Sequence, residues 1–164
     1  MKKNRRMQYN KKVKLKKNSF DLQKDYNNIT VNVEFERRGE MIKSKDILEL
    51  LKYGERINLE CKDSRNEISK SVWETYSAFA NTCGGIILLG IEEHMSERDL
   101  DKRFTFTGVK KPDVRLKEFW DTINSNKVSA NILLDDNVGY CDVNGHTVLW
   151  IEVPQADYRY KPVY

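Results

Sequence analysis

The sequence predicts an α+β fold: a mixed, mostly antiparallel sheet with helices packed on it. Two observations carry that expectation. The apolar run Ile86–Ile91 reads as a strand buried on both faces. Asn144-Gly145 sits between the alternating runs 138–143 and 146–153, the pattern of a tight β-hairpin.

Taken in order, the first element is an alternating stretch, 29–36, with Val31, Val33 and Phe35 on one side, expected as an edge strand. Ser44 can cap a helix over 45–53 whose apolar face holds Ile47, Leu48, Leu50 and Leu51, and Gly54 ends it. Ile57, Leu59 and Cys61 alternate with Asn58, Glu60 and Lys62, a strand with one polar face. Ile68, Val72, Tyr76, Phe79 and Ala80 recur at helical spacing over 67–81, and the turn Asn81–Gly85 leads into the central strand. Residues 92–112 are charged and aperiodic and read as a loop or insertion. Pro112 and Asp113 open a helix over 113–125 with Leu116, Phe119, Trp120 and Ile123 facing inward. Ile132–Leu134 is expected as a short strand before the hairpin, and Pro154 ends the last strand.

Composition narrows the class. The 164 residues suit one domain plus a tail. No apolar run approaches the roughly 18 residues of a membrane span, and the N-terminus lacks the apolar stretch of a secretory signal. Three widely spaced cysteines give no disulfide framework, so a reducing, cytoplasmic setting and no membrane partner are expected. The net charge of +4 divides unevenly. Residues 1–17 carry nine of the 29 Lys and Arg and no acid, leaving 20 basic against 25 acidic residues elsewhere. The expected organisation is a basic arm over 1–40, with the edge strand inside it, and a domain over 41–164.

No phosphate loop of the GxxxxGK[ST] type is present, so ATP is not expected, and His94 and His146 lack partners at zinc-site spacing. Glu60 and Lys62 lie two apart on one strand face, Glu55 just precedes that strand, and Glu92 follows the central strand. Carboxylates gathered so are candidate ligands for Mg²⁺ or Mn²⁺, with Lys62 beside them to neutralise a phosphate. The competing reading is an exposed strand face with a local Glu–Lys pair. Separately, Arg98, Lys102, Arg103, Lys110, Lys111, Arg115 and Lys117 crowd one segment, extended by Lys62, Arg65 and Lys70, as a surface for DNA or RNA needs.

Gly54-Glu55-Arg56-Ile57-Asn58-Leu59-Glu60-Cys61-Lys62 resembles the "GE-x4-EFK" motif of the Schlafen AlbA-like domain. Ala78-Phe79-Ala80-Asn81-Thr82-Cys83-Gly84-Gly85 matches that family's "AFANT-x-GG" signature, and Leu149–Pro154 and Lys161–Tyr164 resemble its late segments. The departures are Cys61 for Phe, Glu92-Glu93 where Asp is usual, and a chain that stops before the family's "R-x-G" ending, as expected of a domain truncated at its C-terminus. The resemblance implies a nucleic-acid-binding domain of the transcription-regulator type. Alternatively, it implies a metal-dependent, endoribonuclease-like endonuclease cutting RNA or single-stranded DNA, in which Glu55, Glu60 and Glu92 occupy the three acidic positions. By analogy with tandem vertebrate Schlafens, it also implies a homodimer.

Overall fold

A computed structural model describes residues 41–53 and 58–164. The predicted arm, the edge strand at 29–36 and the segment 54–57, with Glu55, lie outside the described residues. The elements are α1 (Ser44–Tyr53), β1 (Leu59–Lys62), α2 (Ser71–Asn81), β2 (Gly85–Leu89), β3 (Ile91–Glu93), the single turn α3 (Leu100–Arg103), β4 (Phe104–Phe106), α4 (Pro112–Ile123), β5 (Val138–Val143) and β6 (His146–Val153).

The main sheet runs β1-β2-β6-β5, and β3 and β4 form a separate two-stranded sheet. β1 lies parallel to β2, whereas β2–β6, β5–β6 and β3–β4 are antiparallel. The α+β architecture is therefore as the sequence predicts, with β2 interior. Its uniform apolarity follows from cover on both sides. Ile87 and Leu89 face α2 and α4 together with Val72, Tyr76, Phe119, Leu149 and Ile151. Ile86 and Leu88 face the opposite core of Ile47, Leu50, Ile91, Val148 and Trp150. Each such Leu or Ile contributes roughly 1.5–3 kcal/mol by leaving water.

Four expectations are corrected. The apolar run 86–91 is two strands, because Gly90, at φ +91°, turns the chain out of the main sheet. Its N–H donates to the carbonyls of Lys62 and Asp63, and its own carbonyl accepts from Thr107 and Gly108. Residues 92–112 are not a plain loop: they hold α3 and β4, with Glu92 opposite Thr105 and Glu93 opposite Phe104. α2 begins at Ser71, because residues 63–70 turn over the buried Ser64, whose hydroxyl accepts the Ser69 N–H at 3.3 Å. Residues 132–134 form no strand; Tyr76 Oη takes the Ile132 N–H at 3.0 Å and Asn131 Oδ1 takes that of Leu133 at 2.9 Å, leaving no ladder to make.

Among the described glycines, those at the joint between α2 and β2 are the most tightly packed. Gly84 has φ +79°, and a Cβ there would stand 2.7 Å from the Val153 carbonyl oxygen. A Cβ on Gly85 would stand 2.5 Å from the Phe79 ring and 2.8 Å from the Asn58 oxygen. Just upstream, Asn81 clamps the C-terminal segment, its amide donating to the Val163 carbonyl at 2.7 Å and accepting the Val163 N–H at 2.8 Å. Lys161 Nζ reaches the Asn81 carbonyl at 2.9 Å. Gly84→Ala should therefore cost about 1–3 kcal/mol. Gly145→Ala, where nothing lies within 4 Å of the added carbon, should cost less. Urea midpoints of the two variants measure the difference.

Candidate nucleic-acid interface

Among the described strands β1 lies at the sheet edge, and its register fixes where its side chains go. Glu60 pairs with Ile87 and Lys62 with Leu89, so both belong to the face covered by α2 and α4. Lys62 Nζ sits 2.8 Å from Glu60 Oε1, with Lys62 12% and Glu60 42% exposed. Cys61 points the other way, into the core beneath α1. Burial pushes its thiol well above the ordinary range, and Glu93 and Glu60 push further against the opposing pull of Arg103 and Lys62. Cys61 is thus a neutral thiol, not a nucleophile.

The two carboxylates after the central strand separate. Glu93 is half-buried and ion-paired with Arg103 at 2.8 Å, on the Cys61 side. Glu92 is exposed, opposite Thr105. Among the described residues no three His, Cys, Asp or Glu side chains gather to hold a metal ion. Glu55, the third candidate ligand, lies outside those residues.

The predicted basic residues divide into groups. Arg65, Lys70, Lys110 and Lys111 are exposed, and two contacts draw the loop 63–70 against the segment 107–111. The Lys110 N–H donates to the Arg65 carbonyl at 2.8 Å, and Arg65 Nε donates to the Thr107 carbonyl at 3.2 Å. Arg115 braces this junction, donating to the Asn66 carbonyl at 2.6 Å while its guanidinium lies 2.9 Å from Glu118. Lys111, at φ +53°, turns the chain into α4 at Pro112. Of the other predicted cations, Arg103 is engaged with Glu93, Lys102 with Asp99 at 3.4 Å and Lys117 with Asp121 at 2.6 Å, while Arg98 is exposed in the segment before α3. Exposed pairs of the last two kinds are worth little and can exchange for other anions.

Beside the junction lies a cleft of about 820 Å³, lined by Lys62, Arg65, Lys70, Trp73 and Lys127 among others. Sequence reasoning missed Trp73 and Lys127. Trp73 follows a helical core pattern and stacks on Phe119 at 5.3 Å, and Lys127 lies in the turn after α4, with no motif to mark it.

Comparison with known proteins follows this geometry. A family model described as Schlafen, AlbA_2 matches residues 55–164. No curated protein matches the chain. Among solved structures, the N-terminal domain of a RecG-related protein from Nitrosomonas europaea, determined by solution NMR, is 29% identical, with a TM-score of 0.58. The match covers 76% of this chain and 80% of that one.

Cys61 supplies a pH test. The unfolded thiol releases its proton near 9, the ordinary value, while the folded thiol keeps it. Above that pH the folded state binds more protons, so the contribution is complete below about pH 9 and is lost as pH rises further. Urea midpoints taken at neutral and strongly alkaline pH should fall less in Cys61→Ala than in the parent. Cys141, shifted the same way by burial, retains part of the slope.

Proposed function

Because the chain belongs to the Schlafen, AlbA_2 family, we propose that it is a nucleic-acid-binding module whose contact face is the junction of Arg65, Lys70, Lys110 and Lys111. One observation supports the reading: the Lys110 N–H donates to the Arg65 carbonyl and Arg65 Nε to the Thr107 carbonyl, which brings together two segments that carry exposed cations distant in sequence. Phosphate contacts of this kind supply most non-specific affinity for DNA and RNA. The structural neighbour, from a protein described as related to the DNA helicase RecG, supports the same partner class.

The reading is binding, of the DNA-binding regulator type, rather than cleavage. Glu60 is held by Lys62, and Glu92 stands exposed on the small sheet. A two-fold homodimer, the commonest assembly of soluble chains, would present two copies of this face.

Binding of the full chain to duplex DNA and to structured RNA should weaken steeply with salt, with a log–log slope of about −0.9 per phosphate contact on duplex DNA. Lys110→Ala with Lys111→Ala should make that slope shallower by roughly two contacts. A form lacking residues 1–40 should keep salt-sensitive binding, and binding confined to the arm-bearing form would contradict the proposed face. Incubation with Mn²⁺ or EDTA should leave the nucleic acid intact; cleavage that needs Mn²⁺ and is abolished by Glu60→Ala would replace the reading with the endonuclease.

A further inference from the structure

The cleft beside the basic junction is not a simple phosphate trap. Four cations line it, Lys62, Arg65, Lys70 and Lys127, but so do Asp63, Glu67 and Glu118. A bare polyphosphate would meet three carboxylates there, and like charges at short range oppose its entry. A nucleotide fits the mixture better, because its phosphate is anionic while its base edge carries N–H donors that carboxylates accept.

The apolar lining agrees. Trp73 and Ile68 both border the cleft and both pack onto the α2/α4 core, so the core holds them in place. One face of Trp73 is stacked on Phe119, with 20° between the rings, so the indole is a fixed platform rather than a mobile side chain. Base–aromatic stacking on such platforms tolerates any base and is the usual means of gripping single strands. Lys70 and Lys127 make no ion pair with the described residues, which leaves both ammonium groups able to meet phosphates. The volume of about 820 Å³ lies within the range of pockets that hold small ligands and exceeds what one phosphate fills.

We propose that this cleft takes one unpaired nucleotide of a single-stranded segment, its base against Trp73 and Ile68 and its flanking phosphates at Lys70 and Lys127. This rests on the nucleic-acid-binding reading and narrows it from nucleic acid in general to a strand with an unstacked base. A paired base cannot reach Trp73 without leaving its stack, which costs a few kcal/mol. The duplex is therefore the poorer ligand at this cleft, although the junction beside it can still bind duplex phosphates.

The test is a tryptophan-fluorescence titration of the full chain with a single-stranded oligonucleotide of mixed sequence and with the corresponding duplex, alongside fluorescence anisotropy of the labelled strands. The chain has three tryptophans, so Trp73→Phe identifies the reporter while keeping a ring stacked on Phe119. The expected result is quenching by the single strand and little by the duplex. The quench should be lost in Trp73→Phe, and single-strand binding should weaken and become less salt-sensitive, by about one phosphate contact, in Lys127→Ala, an exposed site whose loss leaves the core untouched. Salt-sensitive anisotropy changes without a Trp73 quench, or an equal quench by duplex, would overturn the cleft assignment while leaving the binding reading standing. Absence of salt-sensitive binding to either form would overturn both.

Discussion

The packing of β2 between two covered faces is the constraint on which the rest of the described fold depends. Cover on both sides forces every β2 residue to be apolar and demands that the chain enter the strand from α2 without a side chain in the way. Gly84 and Gly85 meet that demand against the Val153 carbonyl and the Phe79 ring. Once β2 is fixed, β1 is fixed beside it in parallel register and β6 on the other flank. The alternation of β1 then sends Cys61 into one core and presents Glu60 and Lys62 on the opposite face. The end of β2 sets the proposed contact surface as well. Gly90 ties the β1 terminus to the 107–108 turn, so the loops carrying Arg65 and Lys110 leave the sheet side by side.

The electrostatics of that surface depend more on pairing than on counting. Arg103 and Arg115 are only 14% and 18% exposed and engage Glu93 and Glu118, where they hold the small sheet and the 63–70 loop in place. In the proposed contact face their role is positional. Lys70, Lys110, Lys111 and Lys127 have no such ion pair among the described contacts; Lys70 and Lys127 line the cleft, and the Lys110 backbone is bonded to Arg65 beside it. A domain whose acidic residues outnumber its basic ones outside the arm can thus still offer a local positive surface.

Much of this was legible in the sequence. Long periodic segments gave α1, α2 and α4, and the Asn144-Gly145 turn gave the β5–β6 hairpin. The small sheet was not legible, because strands of three residues, 91–93 and 104–106, are too short to show alternation. Gly90 was concealed inside an apolar run that reads as continuous. At the site, Lys62 could be placed from strand alternation alone. The engagement of Arg115 with Glu118 and of Lys117 with Asp121 was also within reach, since three- and four-residue helical spacings bring such pairs together. Trp73 and Lys127 were out of reach: they meet across more than fifty residues of chain, and only the packing of α2 against α4 brings them to one cleft.

The proposed face places nucleic acid where the 63–70 and 107–111 segments meet. Backbone amide shifts of the isotopically labelled full chain, followed during titration with a short oligonucleotide, test it most directly. The account predicts perturbations concentrated at Lys62–Lys70 and Thr107–Lys111, with Trp73 and Lys127 at their border. Shifts confined to residues 1–40, or centred on the outer face of α1, would contradict it.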